Sequence, residues 1–217
     1  AGACEAVVHA LSPDASDNAK AEIFEAISQL AKDEDCRQAL FAAGACEAAV
    51  HALSSDAIGD KVKENCLGAI GYLSRDEVCC RAMFAAGVCN AVTDALVTDA
   101  LVSDVLSPMT SADLTRAISS DLPRAISYAI SDLAKNHDCR HALAAALVDS
   151  LSPDASDVKK AAISSAIYKL ALGEEGRRAL SAAGACNAVV QALSPDVSDG
   201  AKINLSWVIV QLARDDD

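Results

Sequence analysis

The sequence predicts an all-α fold, a solenoid of about five three-helix units stacked in a row. Three observations predict it. A stretch of small residues recurs, at Gly2-Ala3-Cys4-Glu5-Ala6-Val7, Gly44-Ala45-Cys46-Glu47-Ala48, Gly87-Val88-Cys89-Asn90-Ala91-Val92 and Gly184-Ala185-Cys186-Asn187-Ala188-Val189. Its glycines lie 42, 43 and 97 residues apart, which is one unit, one unit, and two units with an insertion. Repetition at such a period marks a structural unit rather than a single active site. Finally, hydrophobic residues make up 52% of the chain but aromatics only 3%, so Ala, Val, Ile, Leu and Cys must fill a core of closely approaching helices.

Each unit divides into helices in the same order. The first helix is short, reading Glu34 to Ala43, with counterparts over 78–86, 137–145 and 175–183. Gly44, Gly87 and Gly184 follow it, where a left-handed residue closes a helix at least cost. The second helix is the recurring stretch itself and ends at Leu11, Leu53, Leu151 and Leu193. Ser12-Pro13-Asp14, Ser152-Pro153-Asp154 and Ser194-Pro195-Asp196 then stop it, because proline cannot continue a helix interior. Ser16-Asp17, Ser156-Asp157 and Ser198-Asp199 offer side-chain oxygens to cap the next helix.

That third helix is the longest. Ala19, Ile23, Ala26, Ile27 and Leu30 form one apolar stripe of helical period. The stripe returns as Ile126, Ala129, Ile130, Leu133, as Ile163, Ala166, Ile167, Leu170, and as Leu205, Val208, Ile209, Leu212. The units run over 1–33, 34–76, 77–136, 137–173 and 174–217, in a single domain of 1–217. Two irregularities stand out. A helical insertion over 97–122 predicts a second helix about three turns longer and an extra helix returning beside it. The fourth unit lacks the corner glycine, and its first two helices are shortened around Ala142–Val148.

Charge narrows the function. With 18 basic and 31 acidic residues the net charge is −13, which repels nucleic-acid backbones and anionic lipid and favours a partner with a basic segment. No apolar run reaches the ~20 residues of a membrane span, and no basic leader precedes the first repeat. The chain opens inside a repeat without Met, which predicts a processed protein or a piece of a longer one. Its nine cysteines include no Cys-x-x-Cys. Those at equivalent places lie one unit apart, beyond the ~7 Å between Cα atoms that a disulfide allows. They read as free thiols used as small buried hydrophobes, in a reducing, cytoplasmic setting.

A unit of this length with Gly between its first two helices resembles the armadillo repeat. The segments "DEDCRQALFAAGACEAAVHALSSD" and "AKINLSWVIVQLARDDD" carry the likeness. Paired-helix HEAT repeats are the nearest alternative, and the intervening Gly argues against them. The resemblance implies a right-handed superhelix whose third helices line a concave groove that holds an extended peptide or a partner helix. In peptide-binding members a Trp of the third helix is followed four residues on by an Asn that bonds the peptide backbone. Here the Trp place holds Glu25, Gly68, Tyr128, Ser165 and Trp207, and the Asn place Gln29, Tyr72, Asp132, Lys169 and Gln211. Only Trp207 matches, so the groove chemistry is this chain's own. Glu25, Gln29, Tyr72, Tyr128, Asp132, Lys169, Trp207 and Gln211 are the candidate partner-binding residues.

Other constellations read as surface or core. His137-Asp138-Cys139-Arg140-His141 has metal-like spacing, yet its counterpart is Glu34-Asp35-Cys36-Arg37-Gln38, an ordinary helix start. His9 and His51 share a place with Asp94, Asp149 and Gln191, which marks a solvated position. Cys79-Cys80 leaves one cysteine more than the unit needs, which could stand exposed and reactive. The Ser-Pro pairs at Ser12, Ser107, Ser152 and Ser194 look like phosphorylation sites but are explained by turn chemistry. No catalytic, cofactor-binding or metal-binding residue emerges. The function that follows is a non-enzymatic protein-interaction scaffold. The alternative is a structural module that stacks end to end with neighbouring repeats or copies, self-associating through its repeat ends.

Overall fold

The computed structural model describes residues 2–12, 14–55, 57–105, 121–195 and 197–214, and these form thirteen helices and no strand. The contacts divide the chain into two compact bodies. The first is Ala1–Ala95 with Asp121–Asn136, and the second is Leu96–Ser120 with His137–Asp217.

In the first body α1 (Gly2–His9) and α2 (Asp17–Leu30) precede a complete repeat of α3 (Glu34–Ala42), α4 (Ala45–Leu53) and α5 (Asp60–Leu73). The next repeat has α6 (Glu77–Ala85), the start of α7 (Val88–Val105) and α8 (Asp121–Leu133). The third helices α2, α5 and α8 pack side by side in that order. Ile27 and Ile70, at equivalent places, are fully buried, as are Phe24, Leu67 and Leu73. Each such side chain contributes about 1.5–3 kcal/mol through burial.

The second body contains α9 (His137–Ser150), α10 (Asp157–Ala171), α11 (Glu174–Ala182), α12 (Ala185–Ala192) and α13 (Asp199–Leu212). Here α10 packs against α13, the same third-helix pairing. Leu143 and Leu147 of α9 are fully buried.

The corners follow from backbone chemistry. Gly44, Gly87 and Gly184 have φ of +84°, +89° and +82°, a region that L side chains rarely adopt. They turn the first helix into the second within two residues. Ser16, Ser156 and Ser198 cap the third helices, their oxygens accepting from the amides of Ala19, Lys159 and Ala201 at 3.3, 3.3 and 3.4 Å. A second device stitches neighbouring repeats. The Asp17 carboxylate accepts from the Gly59 amide at 3.0 Å, and Asp157 accepts from the Ser198 amide at 2.7 Å. A third closes the other helix end. Arg37 Nη1 donates to the carbonyls of Ala31 and Lys32 at 2.9 and 3.3 Å, and Arg177 Nη1 to those of Ala171 and Leu172 at 3.2 and 3.4 Å. The guanidinium there opposes the negative end of the helix dipole.

Several expectations change. α7 is lengthened as its sequence suggests, to 18 residues against 9 for α4, but the returning helix falls outside the described residues. The fourth repeat has one continuous helix of 14 residues, α9, in place of two shortened ones. With Cys139 aligned on Cys36, Leu147 stands where Gly44 turns the chain, and Leu continues a helix.

The cysteines also divide differently. The Asp33 and Asp76 caps align Cys79 with Cys36, so Cys80 occupies the place of Arg37. Cys80 is buried and not an exposed reactive thiol. Cys186 is exposed although Cys4, Cys46 and Cys89, at the same place, are buried. The Cys66 thiol, pushed up by burial, donates to the Ala49 carbonyl at 3.0 Å. The Cys46 thiol is pushed up by hydrogen bonding with Cys79 and then by burial.

Candidate functional site

The groove between the third helices of the first body gathers several of the candidate residues. It holds about 450 Å³. Glu25 and Gln29 of α2, Tyr72 of α5, and Tyr128 and Asp132 of α8 all line it, so five of the eight candidates meet there. Lys169, Trp207 and Gln211 belong to the second body.

Its floor is set by small residues. Asn65 of α5 is buried, and its side-chain amide donates to the Ala21 carbonyl of α2 at 2.8 Å. Ser28 of α2 returns a bond to the Asn65 carbonyl at 3.4 Å. Gly68 sits over Ser28, and a Cβ there would lie 3.3 Å from the Ser28 hydroxyl. A Cβ at Gly71 would lie 3.4 Å from an Asp132 oxygen. Helices can therefore approach closely while the polar side chains at the rim stand clear of the floor.

Across the rim those side chains form one continuous network. Gln29 donates to Glu25 at 2.6 Å and accepts from Lys32 at 2.5 Å. Lys32 Nζ lies 5.4 Å from the centroid of the Tyr72 ring, and the Arg75 guanidinium lies 4.5 Å from it. Both cations are placed for attraction to the negative ring face. Arg75 Nη2 continues to Asp132 at 3.6 Å, and Asp132 also pairs with Lys135. The chain of contacts thus joins α2, α5 and α8 in sequence. Glu64 pairs with Lys61 at 3.1 Å on the same wall. Tyr128, 66% exposed, presents its ring beside this network.

The sequence reading missed Lys32, Arg75 and Arg124, all in the lining. Two of them had a visible signal. Lys32, Arg75, Lys135 and Arg214 stand three residues after the Asn place in four of the five repeats. Each meets the residue at that place: Gln29, Tyr72, Asp132 and Gln211 respectively. Neighbours three apart on a helix face make such a pairing natural.

In the second body the same rows look different. Trp207 is 57% exposed, and its ring meets Tyr168 of α10 at 5.8 Å between centroids with a 54° tilt. That contact was not anticipated. Gln211 is buried and accepts from Arg214 at 3.2 Å. Lys169 is half-buried, and burial holds its amine below the usual lysine value. Leu172 replaces the recurring cation and is exposed.

The groove lining contains acids, bases, amides and aromatic rings, but neither His nor Cys. It suits recognition of a chain by hydrogen bonds, ion pairs and aromatic contact. The other flagged residues lie apart from it. His137 and His141 meet at a 47° tilt with their ring centroids 4.6 Å apart on an exposed helix face. Cys139 is buried, and among the described residues no group of three His, Cys, Asp or Glu is placed to hold a metal ion. His9 and His51 are exposed. No single helix among the described residues is long and apolar enough to cross a membrane.

No protein-family model and no curated protein matches the chain. Solved structures do match, over almost its whole length. A designed armadillo repeat protein in complex with peptide (KR)4 aligns at a TM-score of 0.57 and 22% identity, covering 97% of this chain and 82% of that one. A computationally designed armadillo repeat protein for modular peptide recognition aligns at 0.54 and 22% identity, covering 96% and 81%. An engineered protein from a structural genomics programme aligns at 0.57 and 18%, covering 96% and 80%. The fold is an all-α solenoid of armadillo-like repeats.

Proposed function

We propose that this protein is a non-enzymatic binding scaffold that holds a peptide or a partner helix along the groove of α2, α5 and α8. The observation that carries the reading is the network Glu25–Gln29–Lys32–Tyr72–Arg75–Asp132, which presents polar side chains from three successive repeats along one line. A row at repeat spacing suits a partner whose own groups recur along an extended chain. The partner carries a basic segment. The net charge of −13 draws such a chain in, and Glu25, Glu64 and Asp132 offer carboxylates on the groove wall. Tyr128 supplies an exposed aromatic anchor of the kind that dominates binding energy. A designed armadillo protein of similar fold carries the peptide (KR)4, which makes that peptide the natural first probe.

In this reading the repeats serve one domain of 1–217, with the insertion over 97–122 as its irregular part. On the second body the corresponding rows offer a recognition surface of their own, with Trp207 exposed, Lys169 half-buried and the buried Gln211 holding Arg214. The free thiols, with Cys36, Cys46 and Cys66 shifted toward the protonated form, suit a reducing cytoplasm.

Fluorescence anisotropy with labelled (KR)4 and with a matched Asp/Glu peptide tests the proposal. The basic peptide should bind and the acidic one should not. Tyr128→Ala and Asp132→Lys should each weaken the basic peptide about tenfold, the loss of about 1.4 kcal/mol; Tm should hardly change for the exposed Tyr128 and should fall for Asp132, which loses its pairs with Arg75 and Lys135. Binding that ignores both changes yet depends on His51 and Gln191, on the second helices, would sink the groove reading.

A further inference from the structure

A cation of the chain's own already sits in the groove. Arg75, just past the end of α5, holds its guanidinium 4.5 Å from the centroid of the Tyr72 ring and reaches Asp132 of α8 at 3.6 Å. Lys32, Lys135 and Arg214 stand at the same place in their own repeats and meet Gln29, Asp132 and Gln211, each three residues earlier. Arg75 goes further than a contact within its repeat, because it also crosses to the next one. An aromatic face beside a carboxylate is a receptor for guanidinium: the ring attracts its flat cation and the carboxylate meets its N–H fork.

The two receiving groups are held by the fold, and their occupant is held loosely. The Asp132 side chain is 15% exposed and lies against α5 at Gly71, where a Cβ would come within 3.4 Å of its oxygen. Tyr72 is half-buried. Arg75, by contrast, is 48% exposed, and its 3.6 Å contact with Asp132 is longer than a hydrogen bond. Exposed ion pairs between long side chains hold weakly. A guanidinium from outside therefore replaces that of Arg75 with little loss. While Arg75 stays in place, the groove has small attraction for a basic chain at this point: Glu25, Glu64 and Asp132 are matched in the same lining by Lys32, Arg75 and Arg124.

We infer that Tyr72 and Asp132 form a subsite for an arginine side chain of the partner, and that Arg75 is the resident competitor which the partner displaces. The inference rests on the groove reading above and adds to it which partner residue is read and what has to move. Arginine suits the subsite better than lysine, because a planar guanidinium lies on the ring and meets the carboxylate at once, whereas an ammonium is a compact point charge. Arg75 thus sets specificity in a direction opposite to that of an ordinary contact residue. Its removal opens the subsite and strengthens binding.

Fluorescence anisotropy on the whole chain tests this, with labelled (KR)4 and with all-Arg and all-Lys peptides of the same length. Arg75→Ala should bind (KR)4 about tenfold tighter than wild type, and the gain should be larger for the all-Arg than for the all-Lys peptide. Adding Tyr72→Leu or Asp132→Asn to Arg75→Ala should remove the gain, since each takes away one wall of the subsite; circular dichroism checks that every variant is folded. Arg81→Ala removes the same charge from α6, outside the groove lining, and should leave binding unchanged. Wild type that binds (KR)4 while Arg75→Ala binds it no better overturns the inference and leaves the groove reading standing. A gain matched by Arg81→Ala, or one that survives both added changes, overturns it as well, because the cause is then overall charge. A peptide ignored by wild type and captured by Arg75→Ala supports it, the resident cation then keeping the subsite shut. No binding by either form overturns both proposals.

Discussion

The first and second bodies share their scaffold devices and finish them with contrasting surfaces. Arg37 closes the end of α2 as Arg177 closes α10, and Asp17 reaches the Gly59 amide as Asp157 reaches that of Ser198. Yet the rim of the first body is a polar relay around Tyr72, while the second body exposes Leu172, Ile203, Trp207 and Val210. Backbone positions are common to both; the side chains at the third-helix rows decide the use. That separation is what a repeat architecture permits, because each repeat depends only on its neighbours for stability.

Glycines give the sharpest contrast between the two. A Cβ on Gly176 of α11 would sit 1.8 Å from the Leu170 carbonyl oxygen of α10, and backbone there cannot give way. Gly176→Ala should cost about 3 kcal/mol or more in the second body, read by thermal unfolding. Gly68→Ala in the first body meets only the Ser28 hydroxyl at 3.3 Å, a group that can turn. The Ala gain in helix propensity, about 1 kcal/mol, should leave Gly68→Ala near neutral for stability. Equal losses at the two sites would show that the bodies are not built to different tolerances.

Next in size are the arginine caps. Arg177→Ala removes a charged donor from two carbonyls and should cost about 1.5–3 kcal/mol. Arg37→Ala should cost about the same, since its two bonds are equivalent. α6 carries Cys80 at this place, so the repeat that follows α5 already lacks the cap. Hydrogen exchange should accordingly find the last turn of α5 less protected than those of α2 and α10. Equal protection would mean that another group closes the carbonyls of α5.

Much of the scaffold was legible because it rests on local rules. Gly44, Gly87 and Gly184 take the left-handed φ that a two-residue corner demands, and Ser16, Ser156 and Ser198 cap as their type does. The fused helix α9 was legible in half: the missing glycine is plain, but its result depends on Leu147 continuing the helix where Gly44 turns it. The site was less legible. Tyr72 could be picked out by its place, but its cover by Lys32 and Arg75 depends on the register between α2 and α5. Cys186 shows the limit most clearly. Its own stretch matches that of Cys46 almost residue for residue, and its exposure is decided by what packs outside it. Burial in a stack belongs to the neighbour as much as to the residue.

Acid should separate the two bodies by a smaller margin. Asp33 and Asp76 cap α3 and α6, and the amides of Cys36 and Cys79 hold their carboxyls below the ordinary value of 3.8. A lowered folded value means that each cap contributes fully above that pH. The contribution is lost as pH falls through the folded value and the carboxyl takes up its proton. Asp76→Ala should cost about 1 kcal/mol near neutral pH and almost nothing in strong acid, measured by urea unfolding across pH. In the second body the same place is Gly173, whose φ of −97° and ψ of 146° are close to those of Asp76, −94° and 132°. Nothing lies within 4 Å of a Cβ there, so an aspartate fits. Gly173→Asp should therefore add a few tenths of a kcal/mol near neutral pH, and that gain should vanish on the acid side of the carboxylate range. A gain that persisted in acid would come from helix propensity or packing instead of the cap, and the acid contrast between the bodies would then have another source.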